Sequence, residues 1–209
     1  MICEMSRKEM VEGLSITRDM NIPGQYEDCI LGKHAACPYN EEVIPEEEVL
    51  EHIHIDMWGP ASIKSVGGAS YLMVLVDGGS AMKFSYPLSH KTGDFTLQVF
   101  SKFHVAVECV TGRRLLKVQI DGGCEWWNEK WDEYLCRHEI TRDPDVTLYA
   151  RAQNRVAERA IRTVIQSVRS LLFDAGLPKS LWAEAASCVI YVRGFVPSSR
   201  HPRVVLLER

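Results

Sequence analysis

Three carboxylates stand where the sequence predicts that a strand ends or a helix begins. Asp56 closes the alternating stretch VLEHIHID, Asp121 closes RLLKVQID, and Glu158 lies in the first turn of a predicted helix. Ligands and catalytic groups gather at the carboxyl ends of strands in open α/β sheets. Three carboxylates brought together there would suit Mg²⁺ or Mn²⁺, and two such ions can promote in-line phosphoryl transfer.

Each of these residues also has a simpler interpretation. An Asp after a strand is a common turn residue. Glu158 is followed four residues later by Arg162, and such a pair on a helix surface contributes a few tenths of a kcal/mol to stability. The catalytic interpretation requires all three carboxylates to meet, whereas the salt-bridge interpretation requires only Arg162.

The helix that carries Glu158 has an apolar face beside a basic stripe. The apolar face contains Ala157, Ile161, Val164, Ile165, Val168, Leu171 and Leu172, and the stripe contains Arg155, Arg159, Arg162 and Arg169. At about 100° per residue, Glu158 falls on the boundary between them and could face the sheet edge. The arginines would then look outward, either as a solvated face or as contacts to a phosphate backbone that carry little sequence information.

Strand and helix patterns alternate along the chain. Strands are predicted in VLEHIHID, ASYLMVLVDGG, MKFSYPLSH and RLLKVQID and around residues 140–142, with Pro87 favouring an edge or a strand end. Helices are predicted in TGDFTLQVFSKFHVAVECVTG, in NEKWDEYLCRHEI, and over residues 153–175 and 179–193. This succession predicts an α/β domain with a mixed sheet.

Composition excludes several classes of protein. The 209 residues are 46% hydrophobic and 25% charged, as in ordinary globular proteins. No run of 18 apolar residues suggests a membrane span, and the start MICEMSRKEM lacks the apolar core of a signal peptide. Seven scattered cysteines, an odd number, predict reduced thiols and an intracellular protein rather than a disulfide framework.

The net charge of −4 is unevenly distributed. Residues 149–209 contain ten Lys or Arg against four Asp or Glu, whereas residues 1–148 contain fourteen against twenty-four. The carboxyl-terminal part could therefore offer a basic face to a polyanion.

Several separated motifs together resemble the integrase core of copia-type LTR retrotransposons. They are HIDMWGP, QIDGGCEWWN, and the stretch that runs from AQNRVAER to LPKSLWAEA. The resemblance covers about residues 50–195. It implies a ribonuclease-H-like fold with a mixed five-stranded sheet flanked by helices, and a D,D-E triad of Asp56, Asp121 and Glu158. Thirty-six residues separate the last two, a spacing that suits the family.

The same resemblance divides the chain into four parts. Residues 1–40 are similar to the tail of a zinc-binding segment, residues 41–51 form an acidic linker, residues 52–195 form the core, and residues 196–209 form a tail. In residues 1–40 the matching pieces are MVEGL and CILGK, but Tyr26 stands where one zinc-ligating cysteine would be. Cys29, His34 and Cys37 could offer a substitute site, but because a structural zinc needs four ligands we do not expect Zn²⁺.

The resemblance implies a function with defined partners. The core would join retrotransposon DNA ends to target DNA, using two Mg²⁺ or Mn²⁺ ions held by the triad, with Gln153, Asn154, Arg155, Arg159 and Arg162 on the DNA. We expect a homo-oligomer that acts in the nucleus, with no membrane and no small-molecule substrate.

Departures from the family pattern support an alternative. Gly122 and Cys124 replace an Asn and a Gly after the second Asp, and Arg155 replaces the Gly of QNG. With the short chain, these changes predict a truncated, partly degenerate element. The alternative is therefore a catalytically inactive relic, or a domesticated fragment of the same core, that still binds nucleic acid.

Overall fold

The computed structural model describes residues 48–120, 126, 128–143 and 155–196. Three groups of predicted functional residues lie outside these ranges: the catalytic Asp121, the DNA-contacting Gln153 and Asn154, and the candidate zinc ligands Cys29, His34 and Cys37. The description of Arg155 is limited to its backbone.

Five strands form one sheet in the order β3-β2-β1-β4-β5. The strands are β1 His52–Trp58, β2 Tyr71–Asp77, β3 Lys83–Leu88, β4 Lys117–Ile120 and β5 Thr141–Arg142. β2 pairs antiparallel with β1 and β3, whereas β4 pairs parallel with β1 and β5. The predicted mixed sheet is therefore confirmed, and Pro87 lies on the edge strand β3, where a missing N–H does not break a ladder.

In the described part of the chain, four helices and one 3-10 turn flank the sheet. They are α1 Gly93–Thr111, α2 Glu129–Arg137, α3 Arg155–Asp174, the turn Lys179–Leu181 and α4 Trp182–Gly194. The segment predicted as one helix over residues 179–193 thus begins with a 3-10 turn. None of the described helices is both long and apolar enough to cross a membrane.

Alternation along the strands sends side chains to two cores. On one face of the sheet, Ile53, Ile55, Met73 and Leu75 pack with residues of α1 and α2 that include Phe100, Phe103 and Trp131. On the other face, Leu72, Val74 and Val76 pack with residues of α3 and α4 that include Ile161, Val164 and Ala186. We call the second surface the α3 face of the sheet.

β1 contributes polar side chains to the α3 face. Since Ile53 and Ile55 belong to the opposite core, alternation assigns His52, His54 and Asp56 to the α3 face, followed by Trp58. β1 also continues two residues past Asp56, where the prediction ended it. It does so because Asp56, Met57 and Trp58 stay paired with β2, opposite Val74, Met73 and Leu72.

Candidate functional site

Asp56 lies near the end of β1, beside the second core. Its side chain is half-buried, and Oδ1 accepts a hydrogen bond from the Met57 amide at 2.7 Å. The cross-strand neighbour in β2 is Val74, which is buried. Asp56 therefore lies directly across from a buried apolar residue on the same face of the sheet.

The parallel pairing of β1 with β4 places the end of β4 beside the part of β1 that precedes Asp56. His54 lies opposite Gln119, and Ile55 lies opposite Ile120. In the sequence, the next residues are Asp56 and Asp121. The two strands are thus described up to Ile55 and Ile120, the residues directly before the predicted catalytic aspartates. Asp121 itself lies outside the described residues.

Glu158 lies in the first turn of α3. This helix packs against β1 and β2 through its apolar face, of which Ala157, Ile161, Val164, Ile165, Val168 and Leu172 are buried. Leu171, predicted to belong to that face, is 41% exposed at the far end of the helix. α3 therefore covers the face of the sheet to which Asp56 belongs, and Glu158 lies at the amino-terminal end of this helix.

The Glu158 side chain is exposed and forms no ion pair or hydrogen bond with the residues that the structure describes, Arg162 included. The salt-bridge interpretation of the pair is therefore wrong for this conformation. A carboxylate at the first turn of a helix is still favoured by the partial positive charge of the helix start.

Three of the four arginines of the stripe have no acidic partner among the residues that the structure describes. Arg159, Arg162 and Arg169 are exposed and make no ion pair within the described ranges. Basic side chains elsewhere on the surface do pair, as Arg114 does with Glu139 at 3.0 Å and Lys130 with Asp94 at 2.6 Å. The exposed guanidinium groups of α3 are thus free to contact an anion.

Sequence reasoning missed a buried polar layer on the α3 face. His54 Nδ1 lies 3.0 Å from Gln119 Oε1, the tilted His52 and His54 rings have their centroids 4.3 Å apart, and His52 Nε2 lies 3.5 Å from Asp143 Oδ2. The alternation in EHIHID could have shown that both histidines share a face with Asp56. Their partners on β4 and beyond β5 could not be read from local sequence.

Trp182 contacts the segment that follows Asp56. Its indole ring contacts that of Trp58 edge-on at 5.4 Å, and its Nε1–H donates to the Ile63 carbonyl at 3.0 Å. The Val66 amide also donates to the Ser180 carbonyl at 2.9 Å. The LPKSLW motif therefore holds the end of β1 and the following loop against the start of α4.

Two of the three predicted metal-ligating carboxylates lie in the described part of the chain. Asp56 and Glu158 are hard oxygen donors of the kind that Mg²⁺ and Mn²⁺ prefer, and they fit such an ion. Within the described ranges no group of three or more metal-ligating side chains occurs, and the third carboxylate, Asp121, is outside those ranges.

The chain is similar to parts of two retrotransposon polyproteins. It is 36% identical over 170 residues to the retrovirus-related Pol polyprotein from transposon TNT 1-94 of Nicotiana tabacum, a match covering 81% of this chain and 13% of the polyprotein. It is 27% identical over 189 residues to the transposon Ty1-ML2 Gag-Pol polyprotein of Saccharomyces cerevisiae, covering 88% of this chain and 11% of that one. The chain thus spans only a small part of either relative. No protein-family model matches it.

Solved structures with the same fold are retroviral integrase cores. The HTLV-2 integrase catalytic core domain, solved in complex with magnesium in a trimeric form, has a TM-score of 0.55 and 14% identity, covering 76% of this chain and 94% of that chain. A chain of the simian T-cell lymphotropic virus intasome, solved with PP2A regulatory subunit B56 gamma, has a TM-score of 0.60 and 13% identity, covering 78% of this chain and 55% of that chain. The mixed sheet with its flanking helices is therefore a ribonuclease-H-like fold, and the chain is homologous to a part of retrotransposon Pol polyproteins and shares its fold with retroviral integrase cores.

Proposed function

We propose that this chain is the catalytic core of a copia-type integrase and that it serves DNA integration. In this proposal it catalyses metal-dependent polynucleotidyl transfer, which joins element-end DNA to target DNA. One observation carries the proposal: β1 and β4 run parallel up to the pair Ile55–Ile120, and Asp56 and Asp121 follow directly. Glu158 begins the helix that packs on the same face as Asp56.

Each residue has a defined role in the proposed reaction. Asp56, Asp121 and Glu158 would hold two Mg²⁺ or Mn²⁺ ions, which when bound activate an attacking oxygen and stabilise the leaving oxygen. Arg159 and Arg162, exposed one and four residues after Glu158, would contact phosphates and hold the DNA beside the carboxylates. Gln153, Asn154 and Arg155 precede or begin the same helix and would extend this contact.

The assay is 3′-end processing and strand transfer on a short DNA duplex with Mn²⁺. Asp56→Asn and Glu158→Gln should each lower the rate by about 100-fold or more. When residues act as one catalytic unit, the loss of any one of them removes most of the activity of the unit. Glu133→Gln is the matched control, since Glu133 is an exposed glutamate on α2, on the other side of the sheet. Activity that survives Glu158→Gln would show that this residue is not part of the catalytic site.

A second candidate function is nucleic-acid binding without catalysis. It is favoured by Arg155, which stands where the family has Gly, because it adds positive charge at the start of α3 without adding a catalytic group. This function requires salt-sensitive DNA binding by a chain that neither cleaves nor joins DNA with Mg²⁺ or Mn²⁺. The strand-transfer assay therefore separates the two candidates.

The proposed function also sets where the chain acts and with what. An integrase-type core would work in the nucleus, on DNA. We infer that it would act as a homo-oligomer, in keeping with the trimeric form in which the HTLV-2 core was solved.

A further inference from the structure

A groove lies between the edge strand β3 and helix α4. It has a volume of about 270 Å³ and is lined by residues 81–86 and by residues of α4 that include Ser187, Ile190, Tyr191 and Gly194. Successive side chains of a strand point to opposite faces of the sheet, so an uninterrupted run of residues lines the groove with the edge of β3. The α4 residues are spaced by three, four and seven positions, which places them on one face of the helix. The groove, which we call the β3–α4 groove, therefore runs along the edge of the sheet.

The backbone of β3 offers hydrogen-bonding groups at this edge. β3 is the last strand in the sheet order, and β2 is its one partner among the described strands. The Asp77 amide donates to the Met82 carbonyl at 2.9 Å, and bonded residue pairs alternate with non-bonded pairs along an antiparallel ladder. In the register of β2 and β3, this alternation directs the amide and carbonyl of Ser85 away from β2. Pro87 has no N–H, so the part of the edge that can pair is short and centres on Ser85.

The charged residues that line the groove are basic. Among the described residues of the lining, Lys83 and Arg193 carry charge and none is Asp or Glu. Lys83 Nζ donates to the Ala81 carbonyl at 3.0 Å. Arg193 is exposed, and its guanidinium donates to Ser167 Oγ at 3.3 Å but forms no ion pair within the described ranges. A carboxylate in the groove would therefore meet positive charge and no acidic lining residue.

Apolar side chains supply the other part of the wall. Ile190 and Tyr191 line the groove from α4. Tyr191 is 63% exposed, although its ring contacts that of Phe195 edge-on at 4.9 Å. A strand edge beside apolar and cationic side chains suits an extended peptide that adds a strand to the sheet. A DNA duplex would use the cations but neither the strand edge nor the apolar wall, so the lining favours a peptide.

We propose that the β3–α4 groove binds an extended acidic segment of a partner protein, which pairs with β3 at Ser85 as an added strand. A Glu or Asp of that segment would lie against Arg193 and form a charge-assisted hydrogen bond. An aliphatic side chain two residues away shares that face of the added strand and would contact Ile190. The inference is independent of the proposed function, because none of these residues belongs to the proposed catalytic or DNA-contacting set.

Fluorescence anisotropy of the whole chain with two labelled peptides tests the proposal. The acidic peptide is Thr-Glu-Thr-Val-Thr-Glu-Thr-Val, whose Glu and Val side chains share one face when it is extended, and the basic peptide has Lys in place of Glu. Ser85→Pro removes the amide that faces away from β2, and Ser85→Ala is its matched control. Arg193→Glu reverses the charge at the groove, and Arg137→Glu, on an exposed arginine of α2, is the control for that change.

We expect the native chain, Ser85→Ala and Arg137→Glu to bind the acidic peptide and not the basic one. Ser85→Pro should lose this binding yet unfold cooperatively, because position 85 does not donate to β2. Arg193→Glu should bind the acidic peptide at least about 10-fold more weakly and the basic peptide more tightly than the native chain does. If Ser85→Pro does not fold, this exchange of preference in Arg193→Glu decides.

Several results would overturn the proposal. They are equal binding of both peptides by the native chain, binding of neither, and unchanged binding of the acidic peptide by folded Ser85→Pro. Sedimentation velocity tests for a second copy, since a dimer that is lost in Arg193→Glu but kept in Arg137→Glu would assign the groove to self-association instead. A short DNA duplex whose binding is weakened by Arg193→Glu but not by Arg137→Glu would place nucleic acid there and equally contradict the peptide.

Discussion

Two helix glutamates, Glu108 and Glu158, have opposite surroundings. Glu108 Oε1 accepts from the Leu115 amide at 2.8 Å and lies 3.1 Å from His104 Nε2. Glu158 has no such partner among the residues that the structure describes. The first carboxylate therefore stabilises the join between α1 and β4, whereas the second remains available for a metal ion.

The surroundings of Glu108 lower the pKa of its carboxyl group below the usual value. Partial burial opposes ionisation. It is outweighed by the hydrogen bond from Leu115, by the hydrogen bond and charge of His104, and by the charge of Arg114. Because the folded pKa is lowered, the carboxylate contributes stability that is present above the unfolded pKa and is lost as pH falls through the folded pKa.

Glu108→Gln should therefore lower the free energy of unfolding near neutral pH, by about 1 kcal/mol for the weakened contacts. The difference from the native chain should shrink once the pH falls below the ordinary carboxyl pKa of 4.5. Urea unfolding at a series of pH values measures both quantities. Glu133→Gln, on an exposed glutamate, is the control and should leave the free energy of unfolding near neutral pH unchanged. A Glu108→Gln effect that stays constant down to about pH 4 would contradict the assignment.

Sequence could propose candidate residues but not their contacts. Asp56 and Glu158 are candidates because residue type, predicted element and motif order agree. Whether Glu158 pairs with Arg162 depends on side-chain rotamers, which the spacing of four residues does not fix. The His54–Gln119 contact joins residues 65 positions apart, and only the register of two strands reveals it.

At the scale of elements, the turn of the β2–β3 hairpin depends on close backbone approach. Its sequence begins VDGGSA. Asp77 is buried, and its carboxylate accepts from the Leu50 amide at 2.9 Å and from the Ser80 amide at 2.7 Å. A side chain on Gly79 would collide with the backbone carbonyl of Glu48. The backbone at Gly79 thus lies so close to the backbone of Glu48 that only glycine fits at position 79.

Gly79→Ala should destabilise the chain by about 1–3 kcal/mol, the usual cost of forcing an extra methyl group into a packed site. Gly67→Ala is the matched control, since the added methyl group would meet only the Ser65 hydroxyl oxygen, at 3.7 Å. Chemical unfolding of both variants measures the difference. Equal stability of the two would mean that Glu48 moves aside freely, contrary to the packing described.

The sequence pattern predicted most of the helices and strands correctly, and the errors in the prediction lie at the ends of these elements. The apolar face of α3 and the alternation in β1 and β2 predicted their structures because each pattern is local. The last residues of β1 and the 3-10 turn before α4 were missed. The end of β1 is extended by pairing with β2, and Trp182, the first residue of α4, contacts Trp58 and bonds to Ile63, 119 residues earlier in the chain.

Across the whole molecule, the two faces of the sheet differ in chemistry. The face under α1 and α2 is apolar at β1, whereas the α3 face carries two histidines and Asp56 there. The unpaired arginines belong to α3, the helix that covers this polar face. The motif order predicted the fold, but the meeting of all three carboxylates depends on Asp121 and stays a prediction.

The charge asymmetry of the chain gives the last test. In the proposed function Arg159 and Arg162 contact phosphates, so the double variant Arg159→Gln with Arg162→Gln should weaken binding to any duplex. Because each phosphate contact contributes about 0.9 to the slope of log K against log salt concentration, the slope should become shallower by about 2. Arg137→Gln, on an exposed arginine in the last turn of α2, should leave it unchanged. Fluorescence anisotropy with a labelled duplex at several salt concentrations gives both slopes. An unaltered slope in the double variant would place the DNA on another surface.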